Sequence, residues 1–221
     1  MPTPIIEKGR LYTHFGTHGT VCINTKSGKI IWKNTSLPVT HNNGPGSSIV
    51  LWKHNVIFHA DGSDIQYIVA LDKRTGEVRW KTPRDEPTSW SSPHILPHTD
   101  PVQVVVSAAN RIRSYDLANG NLLWECGGLS HNVVAGPVSH DGLVICGSSY
   151  EKQAILGIRL DGAAGDLTGS GPVRDRPLHQ DRDRRGWSEA RPPRTRNTLC
   201  NPTRADPAVR RCGSAFCYRS V

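Results

Sequence analysis

One pattern returns along this chain at a nearly constant interval, and that interval restricts the fold more than any other feature. Val69-Ala-Leu-Asp72-Lys-Arg-Thr-Gly76-Glu-Val-Arg-Trp80 has a counterpart before it, Val21-Cys-Ile-Asn24-Thr-Lys-Ser-Gly28-Lys-Ile-Ile-Trp32. It has another after it, Arg113-Ser-Tyr-Asp116-Leu-Ala-Asn-Gly120-Asn-Leu-Leu-Trp124. A fourth copy is read at Asp161 and Gly165, with Gly169 where the Trp should stand. The Asp or Asn positions are 48, 44 and 45 residues apart. A period in the forties, carried by short apolar runs without 3.6-residue periodicity, predicts four-stranded propeller blades.

The units agree outside the motif as well. Each opens near a Pro or small-residue cluster (Thr3-Pro4, Gly44-Pro45-Gly46-Ser47, Ser92-Pro93, Gly136-Pro137), and a stronger strand follows at 10–15, 56–60, 102–107 and 143–148. Between the last two strands, Asp-x-x-x-Gly suits a hairpin loop built on a type I turn. The Asp side chain accepts a backbone N–H, and Gly takes the positive φ of the closing bulge. The Trp four residues later is expected on the outer strand, docked against the next blade with its indole N–H on a carbonyl. In this reading Asp72, Gly76 and Trp80 are structural, and Lys73 and Arg74 are solvated turn tips.

Charge and cysteine content narrow the remaining classes. The 221 residues carry a net charge of +8. Residues 1–170 hold eight Lys, seven Arg and fourteen acids, whereas residues 171–221 hold twelve Arg, no Lys and five acids. The basicity therefore sits in the last quarter, and no nucleic-acid partner is expected for 1–170. The six Cys (Cys22, Cys126, Cys146, Cys200, Cys212, Cys217) lack metal-site spacing, so they read as isolated thiols and no metal site is expected. No apolar run reaches the length of a membrane-spanning helix.

Residues 4–170 resemble the PQQ-like, quinoprotein-type β-propeller repeat family, through the motif A-x-D-x-x-x-G-x-x-x-W. Ala70–Trp80 carries it in full, and Cys22–Trp32 and Ser114–Trp124 carry it nearly so. The repeat is also WD40-like in length. The resemblance implies blades of a propeller that closes with about six to eight of them, so four imply an incomplete copy. It also implies an export compartment, periplasmic or extracellular, although no signal peptide is visible in MPTPIIEKGRLY. The family includes alcohol and sugar dehydrogenases that use PQQ with calcium, and an outer-membrane assembly lipoprotein. The dehydrogenases carry adjacent cysteines over the cofactor, and this chain has no Cys-Cys. Asp61-Gly-Ser-Asp64 offers too few oxygens for calcium and reads as a polar hairpin loop.

The expectation is an all-β chain, a partial β-propeller of about four four-stranded antiparallel blades over 1–170, with a disordered Arg/Pro-rich tail over 171–221. The tail reads as out-of-frame translation, as an ordinary extension, or as a basic arm for nucleic acid or acidic lipid. A ligand site is expected where loops enter the innermost strands, from His41, Asn42 and Asn43, from Trp90 and Ser91, and from His131 and Asn132. There Trp90 can stack on a planar ligand and a His can donate to an anion, although polar loops are also the default on a propeller face. His14 and His18 flank a Gly-rich hairpin without a third ligand. The function favoured is a non-catalytic scaffold binding protein or ligand, without a cofactor. The alternative is a remnant of a PQQ-dependent oxidoreductase, for which PQQ and calcium would be the cofactors.

Overall fold

The computed structural model describes residues 2–169; the tail expected over 171–221 lies outside the described residues. Four sheets follow one another along the chain. The first contains β1 (Ile5–Glu7), β2 (Arg10–His14), β3 (Thr20–Asn24) and β4 (Ile30–Asn34). The second contains β5 (Val50–Trp52), β6 (Asn55–Asp61), β7 (Gln66–Asp72) and β8 (Val78–Pro83). The third begins with β9 (His94–Leu96), β10 (Gln103–Ser107), β11 (Ile112–Asp116) and β12 (Leu122–Cys126). The fourth contains β13 (Val138–His140), β14 (Leu143–Ser148) and β15 (Ala154–Arg159). Pairing within each meander is antiparallel and sequential, with one short 3-10 turn at Gly16–His18 and no α-helix among the described residues. The fold is all-β and built of propeller blades.

The sheets pack through side chains that alternate along each strand. On β6 and β7, Val56, Phe58, Ala60, Tyr67, Val69 and Leu71 face Tyr12, Cys22 and Trp32 of the first sheet. The intervening Ile57, Ile68 and Ala70 pack with Val104, Val106 and Tyr115 of the third. The second sheet is thus buried on both faces, which is why β6 has no exposed residue despite reading Asn-Val-Ile-Phe-His-Ala-Asp. A third apolar layer, with Val105, Ile112 and Trp124 against Val144, Leu156 and Ile158, joins the last two sheets.

The motif turns repeat closely three times. Asp72 Oδ1 accepts the N–H groups of Arg74 and Thr75, Asn24 Oδ1 those of Lys26 and Ser27, and Asp116 Oδ1 that of Ala118. Gly28, Gly76 and Gly120 have φ of 67°, 77° and 78°, a conformation glycine adopts without steric cost. Trp32 lies over Gly76 and donates to the Lys73 carbonyl at 3.1 Å; Trp80 lies over Gly120 and donates to the Leu117 carbonyl at 3.0 Å.

The fourth copy departs from this, and two readings need correction. Asn24, Asp72 and Asp116 stand opposite Arg10, Asn55 and Gln103, whereas the residue opposite Leu143 is Arg159. Asp161 therefore lies two residues beyond the motif position. The burial of Ala154, Leu156 and Ile158 fixes that register, and Asp161 and Gly165 match the pattern in sequence only. The segment from Gly165 does not form an outer strand of the fourth blade either. As β16 (Gly165–Asp166) it pairs in parallel with β12 and becomes the fifth strand of the third sheet. Leu167 enters the core there, and its N–H donates to the Glu125 carbonyl. Trp124 accordingly donates within its own sheet, to Gln103 Oε1 at 2.9 Å.

Candidate functional site

The loops entering the innermost strands are brought together by Trp90. Its N–H donates to the Val133 carbonyl at 2.9 Å and its indole N–H to the Gly44 carbonyl at 3.3 Å. The ring lies against Gly46, where a Cβ would come within 2.4 Å of it. Ser91 is fully buried; its hydroxyl donates to the Ser107 carbonyl and its own carbonyl accepts from His59 Nε2 at 2.7 Å. His41 is half-buried, while Asn42 and Asn43 are exposed. His131 is 60% exposed, 4.0 Å from Glu151, and Asn132 beside it has φ 57°. Among the described residues no hydrogen bond or ion pair links His131 or Asn132 to His41, Asn42 or Asn43. The loops meet, but these seven side chains do not form one cluster.

The densest polar cluster at this end is made of residues that the sequence reading assigned to loops or did not single out. Asp61, read as part of a polar hairpin loop, ends β6 and is 0% exposed. Arg84 grips it in a fork, Nε to Oδ1 at 2.8 Å and Nη2 to Oδ2 at 3.1 Å. Ser89 donates to Oδ2, and His59 Nδ1 stands 3.2 Å away. The third Arg84 nitrogen donates to the Tyr115 hydroxyl of the third sheet at 2.7 Å. Next to it Arg113 pairs with the buried Glu86, with Glu125 and with Asp85. The segment after β8 thereby ties the second and third blades through charge-assisted bonds. Burial alone would raise the Asp61 carboxyl, but Arg84 and His59 outweigh it and hold it far below the usual carboxylate range. Asp64, the other acid of that stretch, is in the loop, where Oδ1 accepts the Thr40 N–H at 2.8 Å.

Between blades one and two, His14 stacks on Phe58 with ring centroids 4.2 Å apart, and its Nδ1 meets Thr20 Oγ1 at 2.9 Å. Burial, with His41 and His59 nearby, lowers the His14 pKa from 6.5 to about 4. The unfolded chain thus takes up this proton at a higher pH than the folded one. The stabilisation from neutral His14 is complete above about pH 6.5, declines as pH falls and is gone below about pH 4. A shift of this size corresponds to about 3 kcal/mol. His14→Phe is expected to flatten the urea-midpoint profile over that window, and an unchanged slope would contradict the assignment. The described thiols are buried too: burial pushes Cys146 up to about 12 and also raises Cys22 and Cys126, which makes them poor nucleophiles.

Known structures share this fold. BamB from Moraxella catarrhalis aligns with a TM-score of 0.54 and 16% identity, over 73% of this chain and 45% of that one. The quinohemoprotein alcohol dehydrogenase ADHIIG from Pseudomonas putida HK5 aligns with a TM-score of 0.53 and 16% identity, over 74% and 33%. The computationally designed Ika4 protein gives 0.52 and 14%, over 71% of this chain and 89% of that one. The chain spans less than half the length of the BamB and dehydrogenase structures. No curated protein sequence matches it. Its sequence does match the family described as Outer membrane protein assembly factor BamB over residues 17–201, a span covering most of the chain and running past Gly171. The chain belongs to this PQQ-like β-propeller family.

Proposed function

We propose that the chain is a non-catalytic β-propeller scaffold that binds another protein. The observation carrying this reading is the commitment of the ionisable groups at the loop end to each other. Asp61, Arg84 and Glu86 have side chains that are 0% exposed and hydrogen-bonded between blades. Acid–base or nucleophilic work needs such groups within reach of a substrate. The family's description as an assembly factor agrees with a binding role, and it supports a place in the periplasm as part of the same proposal. No helix among the described residues is long and apolar enough to cross a membrane.

The alternative, a remnant of a PQQ-dependent oxidoreductase, draws on the dehydrogenase that shares the fold. The residues at the loop end do not fit that cofactor. PQQ is planar and carries carboxylates, so it needs a free aromatic face, and its calcium needs several uncommitted oxygens. Trp90 lies against Gly46, Asp61 accepts from Arg84 and Ser89, and Asp64 accepts from Thr40 and Ile65. Absorbance titration of the protein with PQQ and calcium is expected to give no saturable component. One-to-one uptake would overturn the scaffold reading.

A further inference from the structure

At the end of the sheets away from Trp90, three turns of the first two blades surround a cleft of about 710 Å³. Lys8 and Arg10 reach it from the β1–β2 turn, Lys53 from the β5–β6 turn, and Lys73, Arg74 and Arg79 from the motif turn and β8. Six of the fifteen Lys and Arg in residues 1–170 thus line one cleft, in a stretch that holds fourteen acids and is nearly neutral as a whole. Two acids accompany them, and both are engaged. Lys73, read from sequence as a solvated tip, is mostly buried and binds Glu7 at 2.6 Å, while Arg79 binds Asp72. Arg10 stands beside the Tyr12 phenol and lowers its pKa against the larger effect of burial. Lys8, Lys53 and Arg74 are exposed and have no acidic partner among the described residues. Cations gathered in this way repel one another and raise the local concentration of anions.

The chemistry of the anion follows from which donors are free. Compact phosphate sites are built on converging backbone N–H groups. Here those groups are already used: the Lys73 N–H donates to the His54 carbonyl, Arg74 and Thr75 to Asp72 Oδ1, and Gly76 to the Asp72 carbonyl. What remains is flexible cationic side chains on separate turns, an arrangement that suits carboxylates spaced along a polypeptide. We propose that this cleft binds an acidic segment of a partner protein, a run of Asp or Glu side chains. This names the partner class and rests on the scaffold reading above.

The test is fluorescence anisotropy of a labelled oligoglutamate peptide with the full chain at low ionic strength. Because residues 171–221 are also rich in Arg, variants of the cleft decide the outcome. Reversing Lys8→Glu, Lys53→Glu and Arg74→Glu together is expected to weaken binding roughly tenfold, given what exposed charge pairs contribute. Lys29→Glu, Lys33→Glu and Arg159→Glu together make the same change in net charge outside the cleft and should leave affinity within about twofold. Equal binding by the cleft variant, or none by the parent chain, overturns the proposal. Tighter binding of tripolyphosphate through the same three side chains overturns it too, by assigning the cleft to phosphate anions. The PQQ titration reads out independently, so failure of the cleft and failure of the scaffold reading are told apart.

Discussion

Arg84→Met is expected to destabilise the protein by about 3–5 kcal/mol at neutral pH, the cost of stranding one member of a buried ion pair. Both side chains are 0% exposed, so no water replaces the two hydrogen bonds that Asp61 would lose. The loss extends to the Tyr115 hydroxyl, which receives the third donor. The effect should depend on pH in a direction that identifies its origin. With Arg84 in place the Asp61 carboxyl ionises well below its ordinary value of 3.8. The parent chain therefore keeps this stabilisation above about pH 4 and loses it on acidification. Without Arg84 the buried carboxyl keeps only His59 and Ser89 beside it and its pKa rises from the parent's depressed value, so the variant is penalised most at neutral pH and relieved as pH falls. Urea midpoints of the two proteins should converge as the pH is lowered from 7. A gap that stays constant would mean that Arg84 acts through packing rather than through Asp61. Combining Arg84→Met with Asp61→Leu should recover about 1–3 kcal/mol relative to the sum of the single changes, since the two residues touch.

How readily these features could be read from sequence followed the distance over which each is determined. Asp72, Gly76 and Trp80 are set by one turn: a carboxylate to accept two N–H groups, a residue tolerating φ of 77°, and a ring at a fixed offset. Local demands of this kind leave a pattern that repeats. Asp61 is determined by Arg84, 23 residues away, and the pair by Tyr115, a further 31. Its immediate neighbours, Gly62, Ser63 and Asp64, do form the expected loop, and their composition concealed it. The usable signal was alternation: in Asn55-Val-Ile-Phe-His-Ala-Asp61, His59 and Asp61 fall on the same face as Ile57, a face covered by the third blade. The fourth copy misled for the opposite reason. Asp161 and Gly165 have the right spacing, but strand register is set by which side chains are buried, and that places Arg159 opposite Leu143.

Trp80→Ala is expected to cost about 3–5 kcal/mol, as large-to-small changes of buried aromatic residues do, and its companion glycine tests whether blade docking is the cause. Gly120 has φ 78°, and a Cβ there would come within 2.4 Å of the Trp80 ring. Gly120→Ala should therefore combine a left-handed-backbone cost of about 1–2 kcal/mol with an overpacking cost of about 1–3 kcal/mol. Gly165 has a similar φ of 67° but no atom within 4 Å of where its Cβ would stand. Gly165→Ala should show the backbone cost alone. The difference in denaturation free energy between the two glycine variants thus reports the contact of Trp80 and Thr82 with the next blade's turn. If both variants lose the same amount, the Trp80 ring does not press on Gly120, and the second and third blades are held by the polar bonds of Arg84, Arg113 and Thr82 and by the aliphatic layer. If Gly120→Ala loses more, the junction between the second and third blades is docked in a way that the next junction is not. Trp124 donates to Gln103 of its own sheet and β16 occupies the edge of β12, so the third junction has no indole bond to the next turn and is held by the packing of Trp124 with Val144, Leu156, Ile158 and Leu167.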